Sequence, residues 1–206
     1  MLTFDEKTHT YCWSGKKKFS VTQILNEFVK VQRFGDYFYL NRITGTVIAS
    51  DVFEAAQDFG TGLHKAVQLE IAGTLDWEAM HKSFKYAMDR FLIWKAKNKP
   101  IYVAVEQKYF SKRHDFAGTP DIICMINGIV YIIDVKSGEF GMAGPQLAAY
   151  EVLYREATNY KGVIRKYVLK LPKKEGDYKF IPMTNKLDWA FFQAKNLEHR
   201  YLRGLK

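Results

Sequence analysis

The sequence predicts an α/β fold in which a central mixed β-sheet is flanked by helices. Apolar residues recur near the 3.6-residue helical period over residues 51–71 and again over 76–97. Short runs rich in isoleucine, valine and tyrosine follow, bounded by turn residues, as is typical of strands. The later predicted elements, in chain order, are strands at 101–110, 118–126 and 129–136, a helix at 145–156, strands at 163–171 and 178–183, and a helix at 187–202.

The first fifty residues follow a less regular pattern. Alternating polar and apolar residues predict a β-hairpin over residues 2–19, with its polar centre at 6–8. A short helix is expected next, with Thr22 as its N-cap and an apolar stripe that reaches Phe28. Residues 31–48 show no clean period, so we expect a mobile or substrate-facing insert there.

Three residue types mark the ends and the irregularities of the two long helices. Gly60 and Gly62 interrupt the first helix, which predicts either a break or the close approach of a neighbouring element. Asp76 is the expected N-cap of the second helix. Pro100 marks the end of that helix, because proline cannot continue it.

Size and composition are those of one globular domain spanning residues 1–206. The chain is 48% hydrophobic and 26% charged, and it contains no repeat and no domain-separating linker. It has no apolar run of the ~20 residues that a membrane span needs, and its first residues lack the basic-then-apolar order of a signal peptide. These observations exclude the membrane, secreted and fibrous classes.

Sulfur and imidazole ligands are too sparse for a dedicated metal cluster. Cys12 and Cys124 are too few for a disulfide framework or a four-thiolate site, so no iron–sulfur cluster is expected. The five histidines include no pair at zinc-binding spacing. A reducing, intracellular compartment is the default expectation for such a chain.

The charge balance favours a polyanionic partner. Thirty-one Lys and Arg residues against 22 Asp and Glu residues give a formal net charge of +9. The basic run Lys16, Lys17 and Lys18 would supply non-specific, salt-sensitive affinity for a nucleic acid backbone. A merely soluble basic protein is the alternative, and charge alone does not decide between the two.

The strongest local signal is a two-residue turn at Asn127-Gly128 between two apolar runs, which predicts a type I′ hairpin. In such a hairpin the numbers of opposed residues add up to a constant, here 255. Asp121 therefore opposes Asp134, and Lys136 shares a face with Asp134 because side chains alternate along a strand.

Two opposed carboxylates on well-buried strands need compensation, since like charges repel and burial penalises charge. A divalent cation, a shared proton or a partner lysine would each supply it, but Lys136 alone offers one positive charge for two negative ones. Oxygen ligands at this spacing suit Mg²⁺ or Mn²⁺. The alternative is an ion-pair triad on a solvent-facing strand surface.

At this hairpin the chain resembles the PD-(D/E)XK nuclease superfamily. Pro120 and Asp121, followed by Asp134 and Lys136, reproduce the proline, the two acidic residues and the lysine of its signature. Gly118 precedes Asp121 as in the "GxxD" strand of the RecB-like branch. The second acidic position holds Asp where Glu is commoner, and the superfamily accepts both.

Further motifs of the RecB-like branch occur in the same order. Gln146 and Tyr150 match its QxxxY helix, and His64 after Gly62-Leu63 matches its upstream helical histidine. Residues 19–25 are similar to the opening of phage and mitochondrial genome-maintenance exonucleases of this branch. On the residues alone, a helix-cap glutamine, a half-buried tyrosine and a structural histidine would explain the same positions.

The resemblance implies a restriction-endonuclease-like core with a defined set of site residues. The chain would divide into an N-terminal hairpin and helices (1–100), a catalytic core (101–158) and C-terminal strands and a helix (159–206). The implied roles are metal ligation by His64, Asp121, Asp134 and the main-chain carbonyl of Val135, catalysis by Asp121, Asp134, Lys136 and Glu106, and DNA binding by Gln146, Tyr150, Lys16, Lys17 and Lys18. The implied cofactor is Mg²⁺ or Mn²⁺.

The resemblance also implies a function and a set of partners. The expected activity is a metal-dependent DNA exonuclease that hydrolyses phosphodiester bonds from the ends of single-stranded or frayed DNA, in replication, recombination or repair. Other replication or recombination proteins are conceivable partners, the oligomeric state stays open, and the expected location is the cytoplasm of a bacterial or phage-infected cell. A DNA endonuclease on the same core, a non-catalytic DNA-binding module and an unrelated basic scaffold are the alternatives.

Overall fold

The computed structural model describes residues 2–5, 10–26, 28–33, 36–42 and 45–204. The elements, in chain order, are β1 (Leu2–Asp5), β2 (Thr10–Trp13), β3 (Lys16–Ser20), α1 (Val21–Ile24), β4 (Phe28–Arg33), β5 (Asp36–Asn41), β6 (Val47–Ala49), α2 (Ser50–Ala72), α3 (Lys82–Asn98), β7 (Ile101–Val105), β8 (Tyr109–Ser111), β9 (Phe116–Gly118), β10 (Ile122–Ile126), β11 (Ile129–Lys136), α4 (Ala143–Thr158), β12 (Ile164–Lys170), β13 (Lys179–Pro182) and α5 (Asp188–Leu202).

A five-stranded mixed sheet in the order β13-β12-β11-β10-β7 lies at the centre, with β11 and β12 parallel and the other pairs antiparallel. Successive residues of β11 belong to the two opposite faces. Ile132 packs into a core with Leu147 of α4, whereas Ile133 packs into a second core with Leu63 of α2 and Phe91 of α3. Helices therefore cover both faces of the sheet, and the predicted α/β class with a mixed sheet flanked by helices is confirmed.

The predicted hairpin between β10 and β11 is confirmed in turn type and register. Asn127 and Gly128 have φ values of 49° and 76°, as a type I′ turn requires. Ile122 pairs with Ile133, which is the register that the turn predicts. Ile122 is the first residue of β10, so Asp121 lies immediately before this strand rather than inside it.

Two predicted strands are each divided between two sheets. The strand expected at 101–110 breaks after β7 because Glu106 adopts a left-handed conformation with φ 49°. The strand expected at 118–126 breaks at residues 119–121, where Pro120 has no N–H group to give to a ladder. The pieces β8 and β9 join the N-terminal strands in a second five-stranded sheet, in the order β1-β2-β3-β9-β8.

The start of the chain differs in detail from the prediction. The expected hairpin is a three-stranded meander, because β2 pairs antiparallel with both β1 and β3; the predicted polar centre at 6–8 lies outside the described residues. Ser20, not Thr22, caps α1: its Oγ accepts a hydrogen bond from Gln23 N (3.1 Å), and Gln23 Oε1 accepts one from Ser20 N (3.0 Å). Phe28 belongs to β4 and not to the helix.

Much of the region from 31 to 48 forms regular strands, although its sequence shows no clean period. Strands β4, β5 and β6 form a three-stranded antiparallel sheet. Phe53 of α2 holds this sheet in place, with ring centroids 4.7 Å from Phe28 and 4.0 Å from Tyr39. The sequence shows no alternation of polar and apolar residues here because these strands contact a helix through aromatic rings. They do not have one solvent-exposed face and one buried face.

The long helices decide between the two alternatives for the glycines and correct the expected start of the second helix. Helix α2 runs without a break through Gly60 and Gly62, and the alternative, a close approach, holds at Gly62, where the ring of Phe84 from α3 lies against the backbone. Helix α3 starts at Lys82, because Asp76 instead caps an earlier turn by accepting hydrogen bonds from the backbone N–H groups of residues 78 and 79 (both 3.0 Å). No helix among the described residues is long and apolar enough to cross a membrane.

Alanine substitutions at the two α2 glycines test the close approach. A Cβ atom at Gly62 would lie 2.4 Å from Phe84 Cζ, whereas one at Gly60 meets no atom within 4 Å. We expect Gly60→Ala to raise the free energy of unfolding by about 0.5–1 kcal/mol, because alanine is the better helix former. Gly62→Ala should be at least ~1 kcal/mol less stable than that variant, because the ring must shift. Equal urea midpoints for the two variants would contradict the close approach.

Candidate metal centre

Three ligand-type side chains converge where α2 crosses the end of β7 and the beginning of β10. They are His64 on α2, Glu106 just after β7 and Asp121 just before β10. One donor atom from each lies within 4.8 Å of the other two. Imidazole nitrogen and carboxylate oxygens at such distances could hold a divalent metal ion.

The break in the strand at Glu106 is what turns this carboxylate towards the centre. Its left-handed backbone (φ 49°) is uncommon for a residue with a side chain and costs on the order of 1 kcal/mol. A hydrogen bond from Glu106 N to Asp121 O (3.0 Å) holds the two chain segments together at this point. The same irregularity that ends β7 therefore places two acidic residues side by side.

Hydrogen bonding fixes the orientation of the His64 ring. His64 Nε2 lies 2.8 Å from Val135 O, and it must carry a hydrogen because a carbonyl oxygen can only accept. The other ring nitrogen, Nδ1, faces Asp121 Oδ1 at 3.4 Å and Glu106 Oε1 at 3.8 Å. Nδ1 is therefore the ring atom available to a metal ion once it is deprotonated.

Asp121 is held from the opposite side by the backbone of β11. Its Oδ2 accepts a hydrogen bond of 2.6 Å from Val135 N, while Oδ1 faces His64. Burial by itself raises the pKa of the Asp121 carboxyl, but the charges of His64 and Lys136 outweigh burial, and the pKa lies below its usual value. Asp121 is thus an ionised carboxylate with one oxygen aimed at the centre.

The other two titratable groups of the centre respond to the same neighbours. Burial alone would lower the pKa of His64, but the negative charge of Asp121 and the close approach of the Asp121 and Glu106 carboxylates to Nδ1 place this pKa well above its usual value. Burial raises the pKa of Glu106, partly offset by the proximity of His64. Without a metal ion, a protonated His64 therefore balances part of the negative charge.

Asp134 lies beside this group, in contact with a separate set of partners. Lys136 Nζ lies 3.0 Å from its Oδ1 and 2.8 Å from its Oδ2, and Gln146 Nε2 donates to Oδ1 at 3.1 Å. Oδ2 is buried without a hydrogen bond of good angle in spite of the short distance to the lysine. Asp134 thus retains an acceptor that its neighbours do not satisfy.

The pKa values of Asp134 and Lys136 follow from burial and from each other. Burial raises the pKa of Asp134 to about 6, against the opposing effect of Lys136. Burial alone would lower the pKa of Lys136, but Asp134 and Asp121 raise it above the usual value. Lys136 therefore keeps its proton at neutral pH, next to carboxylates that outnumber it.

Helix α4 closes the site from the other face of the sheet. Gln146 and Tyr150 lie on one side of α4, as their spacing predicts, and Gln146 Nε2 donates to Tyr150 Oη at 3.0 Å as well as to Asp134. Burial, reinforced by Asp121 and Asp134, raises the pKa of Tyr150 well above its usual value, so its hydroxyl stays protonated.

The structure thus brings most of the predicted residues to one place and separates a few of them. The carbonyl of Val135, a predicted metal ligand, accepts a hydrogen bond from His64. Lys16, Lys17 and Lys18 belong to β3 of the second sheet, where Lys18 forms an ion pair of 2.5 Å with Asp115. Asp134 lies outside the three-residue group of possible metal ligands.

Tyr11, a buried residue of β2, lies at the edge of the site although no sequence motif marks it. Its hydroxyl lies 2.5 Å from Thr119 Oγ1, two residues before Asp121. Burial raises the pKa of Tyr11, with a smaller contribution from the charge of Glu106 and against the hydrogen bond to Thr119. No sequence signal links these residues, since the contact joins positions 108 residues apart.

Comparisons with known proteins add two distant structural neighbours. No protein-family model and no curated protein matches the chain. A proposed exonuclease from Eubacterium rectale matches with a TM-score of 0.48 and 14% identity, over 72% of this chain and 66% of that chain. The protein SSO0001 matches with a TM-score of 0.37 and 13% identity, over 69% of this chain and 74% of that chain. Both TM-scores lie below 0.5, so the interpretation of the site rests on its own geometry.

Metal binding at this centre should appear as a His64-dependent stabilisation. An ion that binds only the folded state raises the free energy of unfolding by about 2.7 kcal/mol when its free concentration is about 100 times its Kd. We expect Mn²⁺ to raise the Tm of the wild type relative to EDTA, and His64→Ala to lose more than half of that rise. His81→Asn is the matched control, because His81 lies at the N-cap of α3 and asparagine preserves the cap. An undiminished Mn²⁺ effect in His64→Ala would contradict the assignment.

Proposed function

We propose that the protein is a metal-dependent deoxyribonuclease of the PD-(D/E)XK superfamily, RecB-like branch, with one catalytic domain over residues 1–206. The observation that carries the proposal is the convergence of His64, Glu106 and Asp121 within 4.8 Å, beside an Asp134–Lys136 ion pair. These are the residues at which the sequence motifs of this branch occur. The proposed substrate is DNA, in keeping with the formal net charge of +9.

The donor set fits Mg²⁺ or Mn²⁺. One imidazole nitrogen and several carboxylate oxygens surround the centre, and no cysteine is among them. The negative charge of Asp121 and Glu106 is balanced in part by protonated His64, a proton that a cation would displace. His64, Asp121 and Glu106 are the first candidates to hold the ion, and Asp134, with its unsatisfied buried Oδ2, is the next.

A bound divalent ion would supply Lewis-acid chemistry, by polarising a phosphate oxygen and activating water near neutral pH. The residues of the chain supply the remainder. Lys136 keeps its proton because Asp134 and Asp121 raise its pKa, so its ammonium group can stabilise the negative charge that develops on phosphorus. Gln146 and Tyr150 would hold the substrate backbone, which positions DNA without reading its sequence.

We further propose exonuclease action on the ends of single-stranded or frayed DNA, in replication, recombination or repair. This choice follows the similarity of residues 19–25 to genome-maintenance exonucleases. An endonuclease on the same core differs from it in one respect that can be measured, because only an endonuclease cuts DNA that has no ends.

One gel assay with two variants tests the activity and its location. Wild type, Lys136→Ala and Lys166→Ala are incubated with linear and with circular single-stranded DNA in Mn²⁺, Mg²⁺ or EDTA. Lys136→Ala should lower the rate of cleavage at least about 100-fold, because charge stabilisation in the transition state is lost. Lys166 is a matched control on the neighbouring strand β12; its partner Glu151 keeps an ion pair with Arg155 at 2.9 Å, so Lys166→Ala should cleave at the wild-type rate.

The outcomes separate the candidates. Degradation of the linear strand alone, abolished by EDTA and by Lys136→Ala, is the expected result. Cleavage of circles as well would replace the exonuclease by an endonuclease. Salt-sensitive DNA binding without cleavage in any metal would overturn the catalytic proposal in favour of a binding module.

A further inference from the structure

One face of the second sheet combines aromatic rings with lysine side chains. In the register of this sheet, Lys16 pairs with Trp13 and Lys18 with Tyr11, so these four side chains lie on the same face, whereas Lys17 lies on the other face with Cys12. We call it the aromatic-lysine face, and its members are Phe4, Trp13, Lys16, Lys18, Lys108, Phe110 and Lys112.

Contacts between strands that are not neighbours show that this face is concave. Trp13 of β2 stacks on Phe110 of β8, with ring centroids 4.7 Å apart and an interplanar angle of 22°, although β3 and β9 lie between them in the sheet order. Lys108 Nζ likewise lies 4.9 Å from the ring centroid of Phe4 on β1. The sheet therefore curls, and half-buried rings line its inner side.

The lysines of this face are mostly available to an anionic ligand. Lys16, Lys108 and Lys112 are exposed, and they form no ion pair with a carboxylate within the described part of the chain. Lys18 is the exception, since it pairs with Asp115. Lys112 Nζ lies 5.1 Å from the ring centroid of Trp13, so positive charge is positioned directly at an aromatic surface.

The aromatic-lysine face is continuous with the metal centre. Tyr11, whose hydroxyl contacts Thr119 two residues before Asp121, precedes Trp13 by two residues on β2. Two residues of a strand span about 7 Å, so Trp13 lies about that far beyond Tyr11 along β2. On the other side, Lys108 follows Glu106 by two residues.

We propose that the aromatic-lysine face holds the single strand of DNA next to the nucleotide at the metal centre, which rests on the nuclease function proposed above. A base stacks on Trp13 in place of the exposed Lys112 side chain, and the ammonium groups of Lys16, Lys108 and Lys112 pair with phosphates. Stacking on aromatic rings requires unpaired bases, and every base offers such a surface, so the face takes single strands of any sequence.

The test is binding in EDTA, where no cleavage occurs. Fluorescence anisotropy measures the Kd for a labelled oligothymidylate of about 12 nucleotides, a length within the site sizes of single-strand binding folds. Trp13→Ala should weaken binding about 5- to 100-fold, and Trp13→Phe, which keeps a ring against Phe110, should weaken it less.

A double lysine variant and its control measure the contribution of positive charge to binding. The double variant Lys108→Ala/Lys112→Ala should reduce the slope of log K against log salt concentration by about 1.4, since each phosphate contact on a single strand contributes about 0.7. The double variant Lys85→Ala/Lys97→Ala is the matched control, because it removes two exposed positive charges from α3, which belongs neither to the second sheet nor to the candidate site. Its Kd should stay within about twofold of that of the wild type.

The following results would contradict the proposal. Wild-type Kd values in Trp13→Ala and in the double lysine variant would overturn it. An equal loss of affinity for a blunt duplex would overturn the single-strand assignment and leave backbone contacts alone. The nuclease proposal fails independently, by the absence of metal-dependent cleavage in the wild type, so the two failures are distinguishable.

Discussion

The backbone of Val135 is the constraint on which the candidate site depends. Its N–H donates to Asp121 Oδ2 at 2.6 Å, and its carbonyl accepts from His64 Nε2 at 2.8 Å. One residue near the end of the central strand β11 therefore fixes two side chains that come from a loop and from a helix. Because β11 is paired on both sides and buried, it provides the rigid reference that a ligand set requires.

Broken strands connect the site to its surroundings. The left-handed Glu106 and the interruption at residues 119–121 send two segments of chain from the central sheet into the second sheet. The breaks place the acidic side chains of Glu106 and Asp121 at the rim of one sheet and lead directly into the curled surface of the other. A chain with two uninterrupted strands would have buried Glu106 in a ladder, and it would have lost the continuity between a reactive centre and a basic surface.

The predictions from the sequence succeeded where the signal was local. The Asn127-Gly128 turn determined the register of β10 and β11, because its backbone conformation permits one pairing. They failed where a local preference competed with a stronger interaction. Thr22 yielded to Ser20 because the capping box with Gln23 satisfies two N–H groups, and α2 continued through Gly62 because packing on Phe84 outweighs the low helix propensity of glycine.

The sequence by itself determined the fold class and the residues that form the hairpin with Asp134 and Lys136. Both follow from hydrophobic periodicity and turn residues within a few dozen positions. Tertiary structure alone decided that His64 Nε2 donates a hydrogen bond to the carbonyl of Val135, 71 residues away, and that Tyr11 meets Thr119, 108 residues away. Helical or strand spacing orients a side chain relative to its own element only. Which elements face each other depends on the packing of two cores against opposite faces of one sheet, and that is a property of the whole chain.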